Sequence, residues 1–347
     1  MPKCPNGHEQ RLGLKCQTCG QPLSYRDSIG RLGALPKVEP NYGKVTVLTV
    51  GCPGLSLKAD YVGEITTGQE DRRTWRAFQA ASIRGGSWLD FQKKYLEQLR
   101  RWMKLVGVDK STDRVVVVDT TKPISVLALS ALSNLERTVV IAVAADPQST
   151  PVEQNNSYVA LSLALKKGLP VIALSQSFER EMMYFTEARG FATSEDAVSR
   201  LLEPLLEAAD DLMDLLEGDL RLGIKMHSLS AIVAGSKSVY GNATNAFMAQ
   251  SYNVSIGAKQ EDCQTVHSLV FSPKEAESEF EKSFGVFRNR KFKGALNAEL
   301  RFHETSSPLY DILTICGLKD GSSLQSIAAG YEAITKSMPE LSVEGAS

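Results

Sequence analysis

Three apolar runs without polar alternation stand close together in the middle of the chain. They are Arg114-Val-Val-Val-Val-Asp119, Thr138-Val-Val-Ile-Ala-Val-Ala144 and Leu169-Pro-Val-Ile-Ala-Leu174. Each has the length of a strand and is rich in β-branched residues. Such runs suit strands covered on both faces, as in a parallel sheet under helices. Between them, Pro123–Leu135 and Tyr158–Lys167 space their large apolar residues for helices, and Gly168 stops the second. The alternation predicts a doubly wound, mostly parallel α/β domain. Upstream, Lys44–Val50 reads as a first strand, running through Gly51-Cys-Pro-Gly54 into a helix-like Leu55–Val62. A short strand is expected within Arg73–Ser82. The turn Ile83–Ser87 then opens an amphipathic helix, Asp90–Leu105, with Phe91, Tyr95, Leu99 and Met103 on its apolar side.

The longest helical pattern is Ser194–Glu217. Its leucines recur at helical spacing, Thr193 or Ser194 caps it, and Glu195 and Asp196 lie in its first turn, where the helix dipole favours acids. Pro204 lies inside it and predicts a kink. Beyond it, strands at Ser268–Ser272, Ala295–Phe302 and Ile312–Cys316 and helices at Asn242–Ser251 and Pro273–Phe284 predict a smaller α+β unit. The resulting division is 44–193 for the doubly wound domain, 194–217 for a core helix, 218–337 for the second domain and 338–347 for a tail. Residues 23–43, punctuated by glycine and proline, form a linker to the N-terminal 22 residues.

That N-terminal stretch changes the picture. Cys4 and His8 make one half-site, and Cys16-x-x-Cys19 makes the other. Four ligands of this kind suit a closed, tetrahedral, structural Zn²⁺ site. A piece this small has no core of its own, so it should be unfolded without metal. It resembles the short zinc ribbons of pattern Cys-Pro-x-Gly-His…Cys-x-x-Cys-Gly, which serve as docking or bracing modules. Three of the six cysteines crowd into this segment, which argues for metal and against a disulfide framework. The net charge of −1 predicts no general attraction to nucleic acid or anionic membrane. No apolar run has the length of a membrane span and no signal peptide is evident, so a cytoplasmic protein is expected.

In sheets of this kind ligands sit at the carboxyl ends of the strands. Here those ends read Gly51-Cys-Pro-Gly54, Asp119-Thr-Thr-Lys-Pro-Ile-Ser125, Ala145-Asp-Pro-Gln-Ser-Thr150 and Ser175-Gln-Ser177. Gly51, Gly54, Gly85, Gly86, Ser87, Thr120, Thr121 and Lys122 are the candidate phosphate contacts.

The order of elements over about residues 44–335 resembles the tubulin/FtsZ superfamily, in layout more than in letters. Gly51–Gly54 stands at the family's first glycine loop. Arg84-Gly-Gly-Ser87 stands where FtsZ-like proteins carry Gly-Gly-Asn, and Ala144–Pro151 stands at the ribose-side loop. Leu229–Ser236 with Gly241-Asn242 matches the segment after the core helix. The resemblance implies GTP as ligand and head-to-tail polymers, formed with itself or with another tubulin/FtsZ-like protein.

The chain departs from the family at two places. The Gly-Gly-Gly-Thr-Gly-Ser/Thr-Gly run, whose amides wrap the phosphates, is replaced by Asp119–Ser125, which has no glycine. The segment corresponding to the family's water-activating loop, Leu222–Ser228, has no acid. Asp219 is out of register, and His227 is the one titratable stand-in. The expected function is therefore an assembly or scaffold protein with a degenerate nucleotide site, no catalytic residue and a zinc ribbon that docks a protein partner. One alternative is a divergent GTP-hydrolysing filament protein. Another is a zinc-ribbon nucleic-acid binder using Phe284–Lys293, where basic residues interleave with aromatics. That run is read first as an exposed β-hairpin, which makes nucleic acid the lesser expectation.

Overall fold

The computed structural model describes residues 45–52, 61–67, 77–81, 83, 86–106, 113–133, 136–175, 194–250, 260–319 and 324–346. Cys4, His8, Cys16 and Cys19, together with Gly54 and Gly85, lie outside the described residues.

The doubly wound half contains β1 (Val45–Val50), β2 (Tyr61–Thr67), β3 (Ala77–Ala80), α1 (Trp88–Val106), β4 (Asp113–Asp119), α2 (Ile124–Ala131), β5 (Thr138–Ala144), α3 (Pro151–Lys166) and β6 (Val171–Ser175). Helices α4 (Ser194–Glu207) and α5 (Ala209–Arg221) follow, then β7 (Met226–Gly235), α6 (Lys237–Tyr240), α7 (Ala243–Gln250) and β8 (Cys263–Ser272). The chain closes with α8 (Glu277–Lys291), β9 (Asn297–Glu304), β10 (Tyr310–Leu318) and α9 (Gln325–Ser337). All ten strands form one sheet in the order β3-β2-β1-β4-β5-β6-β7-β10-β8-β9. Pairing is parallel from β3 through to β7, antiparallel on both sides of β10, and parallel again between β8 and β9.

The apolar runs behave as their lack of alternation requires. In β4, Val115 and Val117 face α4 and α5, while Val116 and Val118 face the layer of α1, α2 and α3. The α4–α5 pair packs its leucines on Val47, Val115 and Ile141 of the first half, and also on Leu229, Leu269 and Ile315 of the second. One long helical element thus covers both halves of the sheet. It is interrupted only at Ala208, one turn beyond Pro204. It runs to Arg221, beyond the stop expected at Glu217, and is closed by Gly223, which has φ +82° and donates its amide to Leu220 O at 3.0 Å.

Two expectations are corrected. Of the helix expected over Leu55–Val62, residues 55–60 lie outside the described residues, and Tyr61 and Val62 belong to strand β2, a seven-residue strand that the polar Glu64, Thr66 and Thr67 obscure. Phe284–Lys291 is the second half of α8, not a hairpin. Phe280, Phe284 and Phe287 recur at helical spacing and bury one face, leaving the intervening basic residues exposed.

The end of α5 is fixed by a buried charge. Asp219 Oδ2 accepts a bond from Thr265 Oγ1 at 2.8 Å and lies 3.0 Å from His227 Nε2. Its Oδ1 lies 3.0 Å from His267 Nε2. Space for the carboxylate comes from Gly317 of β10, whose cross-strand partners are His227 on β7 and Thr265 on β8. Burial pushes the Asp219 carboxyl up, but the bonds from His227 and His267 outweigh it and hold the group well below the ordinary carboxylate range.

Two stability predictions follow from this junction. A Cβ at Gly317 would collide with Thr265 Oγ1 and meet Ile224 Cγ2 at 2.8 Å. Gly317→Ala should destabilise the fold by about 2 kcal/mol, the range for an overpacked core, whereas Gly218→Ala should stabilise it by about 1 kcal/mol. Urea midpoints check both, and a Gly317→Ala protein as stable as the parent would contradict the packing.

The second concerns pH. Because the folded Asp219 has a depressed pKa, its stabilisation is complete above the unfolded value of about 3.9 and fades as pH falls below it. Asp219→Asn should therefore cost about 3 kcal/mol at neutral pH, and the gap should narrow below about pH 4. Identical stability–pH slopes for the two proteins would refute the assignment.

Candidate functional site

Strands β2 and β3 are laid down on one side of β1, and β4 to β7 on the other. The crevice between the ends of β1 and β4 is the topological switch point, where such sheets hold ligands. Gly51, at the end of β1, has φ +67°, which favours glycine, and donates its amide to Ile65 O at 2.9 Å. A Cβ there would meet Lys122 Cγ at 3.3 Å and Ile124 Cγ2 at 3.6 Å. The stem of Lys122 thus lies against the β1 turn.

The loop after β4 turns its polar groups inward. The Thr120 amide and hydroxyl both bond Val143 O, at 2.9 and 2.7 Å, and the hydroxyl also meets Ser157 Oγ at 2.8 Å. Asp119 Oδ1 accepts from the Thr121 amide at 3.0 Å and its hydroxyl at 2.6 Å, an Asx turn closed by the residue's own side chain. The Lys122 amide bonds Asp119 O, the Ser125 amide bonds Lys122 O, and Pro123 has no amide hydrogen to offer. Asn156 donates to Thr121 O at 2.8 Å. Lys122 Nζ lies 3.8 Å from Asp119 Oδ2 and remains about half exposed, at 52%.

The neighbouring turns are closed in the same manner. Gly86 bonds Ile83 O, and a side chain at Gly86 would strike Ile83. Ser87 caps α1, and its amide and hydroxyl both reach Asp90 Oδ2 at 2.8 Å. These bonds hold the Asp90 carboxyl below its ordinary value. After β5, Thr150 and Glu153 form a reciprocal capping box at the start of α3. Gln154 donates to Pro147 O and Ser149 O, at 2.9 and 3.0 Å, and accepts from the Gly330 amide of α9 at 2.9 Å. Helix N-termini and loop amides that attract phosphate elsewhere here face Asp90, Asp119 and Glu153.

Of the candidate contacts, Gly51, Thr120, Thr121 and Lys122 converge on the crevice, and Gly86 and Ser87 belong to the turn before α1. Asp90, Glu153, Gln154 and Asn156 were not singled out by sequence. Ser87-Trp-Leu-Asp90 and Thr150-Pro-Val-Glu153 both have the spacing of capping boxes, so two of these groups were legible. The turn between α5 and β7 is Leu222–Lys225. His227 lies beyond it, inside β7, fully buried and bonded to Asp219, where it holds the fold together and does not face an opposing surface. Among the described residues no group of three or more His, Cys, Asp or Glu is placed to hold a metal ion, and no helix is long and apolar enough to cross a membrane.

No protein-family model matches the chain, and no curated protein does. Solved structures do. A CetZ from Methanosaeta thermophila superposes with a TM-score of 0.59 at 13% identity, covering 85% of this chain and 92% of its own. CetZ2 from Haloferax volcanii, solved as a GTPγS-bound protofilament, gives 0.56 at 11% identity, over 85% of this chain and all of its own (100%). TubZ from Bacillus thuringiensis serovar israelensis, a protofilament in its GTPγS form, gives 0.56 at 11% identity, over 88% and 94%. At these identities the likeness is one of fold: the chain has the architecture of the tubulin- and FtsZ-like filament proteins.

Proposed function

We propose that this protein is a tubulin/FtsZ-like assembly or scaffold protein whose switch-point crevice is closed to nucleotide. One observation carries the reading. The amides of Thr120, Thr121, Lys122 and Ser125, which would have to face a phosphate, all donate to acceptors inside the protein. Freeing them forfeits about 1 kcal/mol each, together a factor of several hundred in affinity. Asp119, Asp90 and Glu153 add like-charge repulsion toward any phosphate brought there. The polymer half of the proposal is supported by the fold shared with proteins solved as protofilaments. Contacts that run head to tail between unlike faces give open filaments. The competing reading, a GTP-dependent filament protein, is favoured by the same neighbours having been solved with GTPγS.

The N-terminal segment completes the proposal. Cys4, His8, Cys16 and Cys19 would hold a structural zinc ion, and the folded ribbon would dock or brace a protein partner.

Pelleting and negative-stain microscopy separate the two readings of the body. Filaments should form to the same extent with and without GTP, and assembly that requires GTP, with phosphate release, would overturn the proposal. For the ribbon, the purified chain should carry zinc in a one-to-one ratio by elemental analysis. Cys16→Ser should lose it while the thermal unfolding of the body stays unchanged. A metal-free protein purified under reducing conditions with zinc supplied would reject the site.

A further inference from the structure

Two thiols meet where β8 begins. Cys263 is the first residue of that strand, and Cys316 lies in its antiparallel neighbour β10. Cys263 stands opposite Leu318 and Cys316 opposite Val266, so the two cysteines are diagonal neighbours and pack on the same side of the sheet. Between them runs Gly317 with its partner Thr265, the gap that admits Asp219. Cys316 is buried, Cys263 is partly exposed, and neither is in a disulfide. Their thiols are in hydrogen-bond contact, with Cys316 as donor. The bond from Cys316 holds the Cys263 thiol below its ordinary value. Donating that bond, together with burial, pushes Cys316 well up. The accessible sulfur is thus the better nucleophile, and the sulfur behind it keeps its proton.

Cys263 also lines a cavity of about 740 Å³, together with Lys291, Lys293, Lys319, Glu261 and Asp262. The volume is that of a small-molecule site. Three ammonium groups against two carboxylates suit a ligand that carries more negative than positive charge. Diagonal positions in a sheet stand about 7–8 Å apart, slightly beyond the Cα span of a relaxed disulfide, about 4.4–6.8 Å. Joining the two sulfurs therefore needs one end to give. Cys263 is that end: it starts its strand, follows the short helical turn Gln260–Asp262, and lies where the ladder shifts register between Gly317 and Leu318.

We propose that Cys263 and Cys316 are a redox pair, oxidised by small anionic disulfides of the oxidised-glutathione type that enter through the lysine-lined cavity. The Cys263 thiolate attacks one sulfur of the disulfide RS–SR. A bond forms between Cys263 Sγ and that sulfur, the RS–SR bond breaks, and RS⁻ leaves and takes up a proton. Cys316 then gives its proton to solvent and attacks Cys263 Sγ, and the second RS⁻ leaves and is protonated. Two protein thiols are oxidised to one disulfide, and RS–SR is reduced to two RSH. The step needs neither polymer nor zinc, so it stands or falls apart from the function proposed above.

The test is incubation of the reduced full-length protein with oxidised glutathione, then acid quenching and non-reducing peptide mapping by mass spectrometry. Mapping keeps these thiols apart from Cys52 and from Cys4, Cys16 and Cys19. The parent should yield peptides joined through Cys263 and Cys316. Cys316→Ser should accumulate glutathione on Cys263 as a lasting mixed disulfide, and Cys263→Ser should leave Cys316 reduced. Changing Lys291 and Lys293 together to Glu should slow oxidation by oxidised glutathione about tenfold and speed oxidation by cystamine, a cationic disulfide. A parent in which both thiols stay reduced would overturn the proposal, as would a mixed disulfide on Cys263 that persists with Cys316 present. Equal rates with both oxidants in the lysine variant would remove the cavity as the route of entry and overturn it too. The parent map needs no variant, so it decides even where a serine disturbs the buried strand.

Discussion

The fold depends on one element covering both halves of a continuous sheet, and on the buried charge that fixes where that element ends. Helices α4 and α5 lay a leucine face over strands from β1 to β10. At the far end Asp219 enters the sheet through the gap left by Gly317 and is met by His227, His267 and Thr265. A carboxylate in that position is tolerable only with its oxygens satisfied. The bonds therefore set the rotation of α5 and the register of β7 and β8 beneath it. With β7 paired in parallel to β6, the second half continues the sheet of the first.

At the opposite end of the strands the same physics gives a different result. Loops that leave backbone amides unpaired can receive an anion. Loops that supply their own carboxylates and carbonyls cannot do so without breaking what they have formed. Here Asp119 closes its own loop, Asp90 caps α1, Glu153 caps α3, and the stem of Lys122 lies against Gly51. Gln154 extends this order further, joining the loop after β5 to the backbone of α9 near the C-terminus. The crevice is a joint braced by its own side chains. The acids that brace it are also the groups that disfavour phosphate.

Much of this was legible in the letters. Strands buried on both faces announce themselves by unbroken β-branched runs, so β4, β5 and β6 were placed almost to the residue. Asp119–Ser125 has no glycine, and the amides of Thr121, Lys122 and Ser125 bond acceptors within that same loop. Strand β2 was hidden because a strand carrying Glu64, Thr66 and Thr67 has too little apolar signal, although it is paired on both sides. The end of α8 was misread because aromatics interleaved with bases fit a period of two as well as one of 3.6, and only the buried positions 280, 284 and 287 decide. Asp219 and His227 were both noticed as titratable groups. Their bond to each other, and to His267 forty residues on, depends on strand pairing that no local pattern encodes.

Whether the crevice is closed is a question of affinity, and calorimetric titration of GTPγS with magnesium into the full-length protein answers it most directly. No saturable heat up to about 100 μM protein and ligand is the expected result. A one-to-one isotherm with Kd below about 10 μM would contradict the closed crevice at its foundation, because that affinity needs amides that Asp119, Lys122 and Val143 now hold.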